Sequence, residues 1–173
     1  LNLMEAHAAV RPLTSFTVWG RNADAAAAMA QKAREIGLDA QPCDDLEQSA
    51  READIISCAT LSDQPLIKGE WLKPGAHLDL VGAFKPSMRE SDDIAVQRAT
   101  IFVDTYDGAL TEGGDLVQPL GSGAIERSEV VAELSELVSG RYGGRKSKDE
   151  ITLFKSVGAA LEDLAGAILA YES

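Results

Sequence analysis

Short runs of β-branched and apolar residues alternate, over the first part of the chain, with stretches whose apolar positions follow helical spacing. Leu1, Leu3, Met4, Ala8 and Val10 mark a short helix over 1–11, closed before Pro12. Ser15–Trp19 reads as a strand that Gly20 ends. Asn22 or Asp24 can cap the Ala-rich helix that follows, and Gly37 stops it. A short strand over Asp39–Pro42 leads to Asp44 and Asp45, which cap a helix reaching Glu52. Ile55–Ala59 reads as a buried strand with Thr60, Leu61 and Ser62 at its carboxyl end. After the Lys73-Pro74-Gly75 turn, His77–Val81 forms another strand, stopped at Gly82. Asp92–Arg98 reads as a helix and Ile101–Asp104 as the next strand.

Beyond Asp107 the pattern changes. Gly113-Gly114 and Gly121-Ser122-Gly123 read as loops, and Glu126–Ser139 as an amphipathic helix. Arg141–Lys148 is a basic, glycine-rich connector, and Asp149–Tyr171 a long helical stretch with a break near Gly158. Strands alternating with helices through short connections predict a parallel, doubly wound α/β sheet. Right-handed crossovers then bring every strand's carboxyl end to one edge, where ligands bind.

Composition narrows the picture. A chain of 173 residues, 45% hydrophobic and 25% charged, is enough for one ordinary domain with a core. No apolar run approaches the roughly 20 residues of a membrane-spanning helix, and no signal peptide is visible. Sixteen basic against 28 acidic residues give a net charge of −12, which repels phosphate backbones and anionic membranes. Nucleic-acid and membrane partners are therefore not expected, and an anionic cofactor would have to be held by local donors. The two cysteines, Cys43 and Cys58, stand far apart, which points to a reducing compartment without a disulfide framework. His7 and His77 are too few and too separated for a zinc site.

Dinucleotide-binding folds open on a strand and a glycine-rich G-x-G-x-x-G/A turn that lets a helix amino end approach the pyrophosphate. That turn is absent. The chain opens Leu1-Asn2-Leu3-Met4, already in helical spacing, and is expected to be a piece of something longer. If 1–11 is the first helix of such a fold, the loop and the central strand lie just upstream. The alternative is a shorter α/β domain of another kind.

The end of the 15–19 strand is informative. NAD-binding members of this fold place there an acid that accepts from the ribose hydroxyls, and an Arg accommodates the 2′-phosphate of NADP instead. Gly20-Arg21-Asn22 carries no acid, and a planar guanidinium suits a phosphate. Thr60 and Ser62 can bond a ribose from the next strand end, or simply cap a turn. Gly82 can let a nicotinamide lie close to the backbone, or only terminate a strand. Lys85, Arg89, Lys155, Arg141 and Arg145 are candidates for holding a carboxylate or phosphate, with solvated surface charge as the bland reading of each. Asp79, Asp104 and Asp107 can serve as acid–base groups or as caps. No Ser-His-Asp or Cys-His arrangement and no G-x-x-x-x-G-K-[ST] loop is present.

Three stretches together resemble the ornithine cyclodeaminase/mu-crystallin family. They are Val18-Trp19-Gly20-Arg21-Asn22, then Gly75-Ala76-His77-Leu78-Asp79-Leu80-Val81-Gly82-Ala83-Phe84-Lys85-Pro86-Ser87-Met88-Arg89-Glu90, and last Asp149–Gly158 followed by Ala160-Leu161-Glu162-Asp163. Their order and separation match too, so the resemblance covers essentially the whole chain. It implies a Rossmann-type sheet that lacks its first strand and glycine-rich loop and carries a C-terminal helical extension. Residues 1–125 would form the dinucleotide-binding domain. Residues 126–173 would complete it with helices that return toward a preceding substrate and dimerisation domain.

Members of that family move hydride at a carbon bearing nitrogen. Cyclodeaminases have an Asp after the Val-Gly-Ala of the second stretch, whereas this chain has Phe84, which cannot accept a proton or orient water. Gly82-Ala83-Phe84-x-Pro86-x-Met88-Arg89-Glu90 and Phe154-Lys155-Ser156-Val157-Gly158 are similar instead to the bacterial Δ1-pyrroline-2-carboxylate reductase branch. The resemblance therefore implies reduction of a cyclic ketimine, Δ1-pyrroline-2-carboxylate or Δ1-piperideine-2-carboxylate, to L-proline or L-pipecolate. Ornithine cyclodeamination, alanine dehydrogenation and non-catalytic NADPH binding of the mu-crystallin kind are the alternatives. The implied cofactor is NADPH, with NADH possible. Its implied ligands are Arg21, Asn22, Thr60, Ser62, Val81, Gly82, Ser156 and Val157, and Phe84 would wall the substrate pocket. A cytoplasmic homodimer without metal completes the expectation.

Overall fold

The computed structural model describes residues 1–172. The chain divides into two compact units, Leu1–Glu52 and the residues from Ala53 onward.

In the first unit α1 (Asn2–Val10), β1 (Phe16–Val18), α2 (Ala23–Glu35), β2 (Ala40–Pro42) and α3 (Leu46–Glu52) follow one another. The strands β1 and β2 pair in parallel, Phe16 beside Ala40 and Val18 beside Pro42. Helix α2 starts where the Asn22 side chain accepts from the Ala25 amide at 3.1 Å, and Gly37, at φ +90°, turns the chain beyond its end. Ala26, Ala30 and Ala33 recur at helical spacing and are buried. Because the stripe is made of methyl groups, the helix can lie close to Ala40, with Leu1, Met4, Phe16, Val18 and Leu38 filling in around it.

The second unit is built on a five-stranded parallel sheet of β3 (Ile55–Cys58), β4 (His77–Leu80), β5 (Thr100–Val103), β6 (Val130–Glu133) and β7 (Thr152–Lys155), in the order β3-β4-β7-β5-β6. Its helices are α4 (Asp93–Arg98), α5 (Tyr106–Thr111), α6 (Gly114–Ser122), α7 (Leu134–Val138) and α8 (Ala160–Glu172). Leu78, Leu80, Ile101, Val103 and Leu153 form the buried middle of the sheet. The registers set Cys58 beside Leu80, Leu80 beside Lys155, Lys155 beside Val103, and Val103 beside Glu133. All five carboxyl ends therefore share one edge. Among the described residues no helix is long and apolar enough to cross a membrane.

Elements up to Val103 fall within a residue or two of their expected bounds. The later ones do not. Glu126–Ser139 is not one helix: a 3-10 turn (Arg127–Glu129), β6 and α7 divide it. Two capping boxes, Glu126 with Glu129 and Glu133 with Glu136, stop and restart the helical hydrogen bonding, and between them Val130 and Ala132 turn inward with the two-residue period of a strand. Residues 152–155 form β7, not the start of a long helix. Lying between β4 and β5, this strand is covered on both faces and lacks the polar alternation that would betray it. Gly158, at φ +88°, is the expected break, and α8 follows. Gly113-Gly114 and Gly121-Ser122 are not loops either. Gly113 caps α6, Gly114 is its first residue, and the helix runs to Ser122 before Gly123 ends it at φ +76°.

Two experiments probe this packing. A Cβ at Gly114 would stand 1.9 Å from the Met88 carbonyl oxygen and 2.7 Å from that of Lys85. Gly114→Ala is expected to destabilise by about 1–3 kcal/mol, since backbone cannot move aside cheaply. Gly121, in the same helix, has nothing within 4 Å of the equivalent position, and Gly121→Ala should stabilise by roughly 0.5–1 kcal/mol; denaturant titrations of the two variants measure the difference. Cys58, at the end of β3, is 7% exposed. Burial, reinforced by the carboxylates of Glu90, Asp115 and Asp79, pushes its thiol well above the ordinary value. Since the thiolate is the reactive form, iodoacetamide at neutral pH should label half-buried Cys43 and spare Cys58 until the protein is unfolded, as peptide mass spectrometry would show.

Candidate functional site

In the first unit the carboxyl end of β1 opens into a shallow pocket of about 330 Å³ lined by Val18, Trp19, Gly20, Arg21, Asn22, Ala25, Ala26 and Met29. Its walls are apolar side chains and the first turn of α2, and exposed Arg21 supplies a guanidinium at its rim. The carbonyl oxygen of the Asn22 side chain is already engaged as the helix cap. An apolar recess beside a helix amino end, with one guanidinium at its rim, has the chemistry to take a flat apolar ring next to an anionic group.

In the second unit the loops leaving β3, β4 and β7 lie side by side at the carboxyl edge, and buried carboxylates bind them from beneath. Glu90 is fully buried. Its Oε1 accepts from the Thr60 amide (2.6 Å) and hydroxyl (2.8 Å), and its Oε2 from the amides of Gly82 (2.8 Å) and Ala83 (3.3 Å). Asp104 plays the matching part for the β7 loop: Oδ2 accepts from the amides of Val157 (2.7 Å) and Gly158 (2.8 Å) and from the Ser156 hydroxyl (3.2 Å). Behind Glu90, Asp115 Oδ1 accepts from the amides of Glu90 (2.8 Å) and Ser91 (2.9 Å). Its Oδ2 lies 3.3 Å from Lys155 Nζ, an ion pair with both side chains fully buried.

Gly82 owes its lack of a side chain to this packing. A Cβ there would meet the Thr60 carbonyl oxygen at 2.1 Å and its amide nitrogen at 2.3 Å. Thr60 and Ser62 are likewise engaged inward. The Thr60 hydroxyl donates to Glu90 and accepts from the Ser62 amide at 3.3 Å. The Ser62 hydroxyl donates to the Gln64 carbonyl at 2.8 Å and accepts from the Gln64 amide at 3.4 Å. Ser62 is buried, against the expectation of a ribose ligand, and half-buried Thr60 keeps one acceptor lone pair. Val81, Ser156 and Val157 are half-buried at the same edge, the Ser156 amide donating to the Leu80 carbonyl at 3.0 Å. Phe84 is 41% exposed just beyond them, with Lys85 Nζ 5.6 Å from its ring centre.

Most of the other charged candidates prove structural. Arg89 pairs with Asp93, and Lys155 with Asp115. Arg145 donates to the Gly75 carbonyl and to Thr152 Oγ1, by the amino ends of β4 and β7, which is the edge opposite the loops just described. Arg141 donates to the Ser139 hydroxyl at 3.1 Å. Asp79 accepts from Ser57 at 2.8 Å, and Asp104 is saturated as a loop cap. Asp107 lies in the first turn of α5. Lys85 alone among the five cations stays outward at the strand-end edge. Glu90 and Asp115 escaped sequence reasoning. A carboxylate inside the run Met88-Arg89-Glu90, before the Ser91 turn, looks like surface charge until its partners are known.

Known proteins resemble the chain along nearly its whole length. The model of the ornithine cyclodeaminase/mu-crystallin family matches residues 2–173. The Δ1-pyrroline-2-carboxylate reductase of Paracoccus denitrificans (strain Pd 1222) is 41% identical over 164 residues, 94% of this chain and 52% of that protein. Among solved structures, the Δ1-pyrroline-2-carboxylate reductase of Thermococcus litoralis in complex with NADH and L-proline superposes with a TM-score of 0.95 at 34% identity, covering 98% of this chain and 53% of that one. An archaeal alanine dehydrogenase dimer with bound NAD gives 0.92 at 30% identity, covering 98% and 52%. The chain thus spans about half the length of these relatives. With the parallel sheet, the strand-end loops and a match along nearly its whole length, the chain belongs to the ornithine cyclodeaminase/mu-crystallin family.

Proposed function

We propose that this chain is the cofactor-binding part of an NAD(P)H-dependent reductase that converts a cyclic ketimine, foremost Δ1-pyrroline-2-carboxylate, into the corresponding L-amino acid. The observation that carries the reading is Phe84, an exposed aromatic ring directly after Gly82-Ala83 at the carboxyl edge of β4. A phenyl ring neither carries a proton nor orients a water. It suits an imine that arrives protonated and is reduced, and it does not suit one that must be hydrolysed or cyclised.

Each unit contributes separately. In the first, the β1 pocket takes the adenosine and Arg21 takes the 2′-phosphate, which favours NADPH over NADH; Asn22 fixes the amino end of α2 beside them. In the second, the backbone of Val81 and Gly82, with Ser156 and Val157 alongside, forms the seat for the nicotinamide, and Thr60 offers an acceptor to the ribose while buried Ser62 shapes the loop behind it. Bound there, the nicotinamide supplies the hydride. What the chain supplies is orientation, and Phe84 walls the apolar side of the substrate. Lys85, beside that ring, can face the substrate carboxylate, and further basic groups would come from the remaining half of a protein as long as its relatives. Helix α8, whose Leu161, Leu164, Ile168 and Leu169 are exposed, would return toward that half. A cytoplasmic homodimer completes the proposal, in keeping with the dimer of the archaeal alanine dehydrogenase.

The deciding assay follows NADPH absorbance with Δ1-pyrroline-2-carboxylate, using the protein at the full length of its relatives. Turnover, with none from L-ornithine, is the expected result. Oxidation of L-alanine without reduction of either ketimine would move the protein to the dehydrogenase side of the family. Arg21→Ala should raise KM for NADPH by about 10-fold or more, the usual worth of a hydrogen bond to a charged group, and leave NADH within about 2-fold. Equal losses with both nucleotides would remove Arg21 from the 2′-phosphate site.

A further inference from the structure

We propose that Glu90 is a positioning residue for hydride transfer: it ties the loops after β3 and β4 into one ledge beneath the nicotinamide, an inference that rests on the reductase reading above. Four donors converge on this one buried carboxylate, two from Thr60 and one each from Gly82 and Ala83. The donors belong to different strands, so the side chain is a cross-link between loops, not a local cap. Close approach makes the link tight. The missing Cβ of Gly82 is what allows its backbone to press on that of Thr60.

Glu90 is itself held in place. Its own amide and that of Ser91 donate to Asp115 Oδ1, and Asp115 faces Lys155 at 3.3 Å. Lys155 is the last residue of β7, and Ser156 and Val157 follow it directly. The anchoring therefore runs from one proposed wall of the nicotinamide seat, through Asp115, to the other. Burial gives the carboxylate no water to turn to, so it keeps its donors at fixed places. A stacked ring requires such a surface, because a displacement of about 1 Å at the reacting atoms can cost 100-fold in rate.

The test uses Glu90→Gln in the protein at the full length of its relatives. Gln fills the same volume but turns an NH2 group toward one of the two donor pairs, so one loop loses its tether. Binding of NADH, followed by its fluorescence, is compared with binding of ADP-ribose, which has both riboses and the pyrophosphate but no nicotinamide. The expected result is NADH affinity and kcat each reduced by about 10-fold or more, the scale for a lost bond to a charged acceptor, with ADP-ribose affinity unchanged. Parallel loss of both ligands, or no loss of either in a folded variant, overturns the inference and leaves the reductase reading standing. Failure of the unsubstituted protein to bind either NADH or NADPH removes both. Should Glu90→Gln not fold, Glu90→Asp, which keeps the charge but is one methylene too short to reach both loops, takes its place and the same comparison applies. A selective loss of NADH supports the ledge, and a loss shared with ADP-ribose or no loss of either overturns it.

Discussion

A carboxylate taken out of water must find hydrogen-bond donors, and in this chain the donors within reach are the amides of loops leaving the sheet. Glu90 takes those of Thr60, Gly82 and Ala83, Asp104 those of Thr105, Val157 and Gly158, and Asp115 those of Glu90 and Ser91. A parallel sheet aligns its carboxyl ends but says nothing about how the loops beyond them are shaped. Here the desolvated acids do the shaping. An unpaired buried acid costs several kcal/mol, so the loops are held where their amides meet these oxygens; Asp115 Oδ2, without a hydrogen-bond donor, faces the Lys155 charge instead. Among the described residues Lys155 is the buried cation, and it completes the set from the sheet itself.

This arrangement also explains which glycines the chain requires. Gly82 and Gly114 both lie where one backbone passes against another, Thr60 in the first case and Lys85 and Met88 in the second. Neither has an unusual φ, so the constraint is space and not conformation. Gly37, Gly123 and Gly158 answer the other need, positive φ at the end of a helix or before one.

Legibility in the sequence followed burial. Strands with an exposed face or a clear stop, such as Ile55–Cys58 and His77–Leu80, were readable, as was a cap at Asn22 or Asp24, of which the structure uses Asn22, because those signals are local. Strand β7 was not. A strand covered on both faces shows continuous burial, and next to α8 its apolar run merges with helical spacing. Strand β6 was masked by glutamates that support helix on either side of it. At the candidate site Arg21 and Phe84 are exposed near strand ends, where the sequence displays their side chains directly. The inward bonds were not legible: Glu90 and Asp115 acquire meaning only through partners 25 to 30 residues away, as does the inward tie of Thr60, which the sequence offered only as a ribose ligand or turn cap.

Support and exposed rim are made of different residues. Glu90, Asp104, Asp115 and Lys155 lie beneath the strand ends and bear the structure, whereas the side chains of Phe84 and Lys85 project from it. Natural selection can therefore try new side chains at the rim one at a time, each tolerated by a foundation that does not register the change. A family that includes reductases of imines and dehydrogenases of amino acids is what such an architecture would be expected to leave behind.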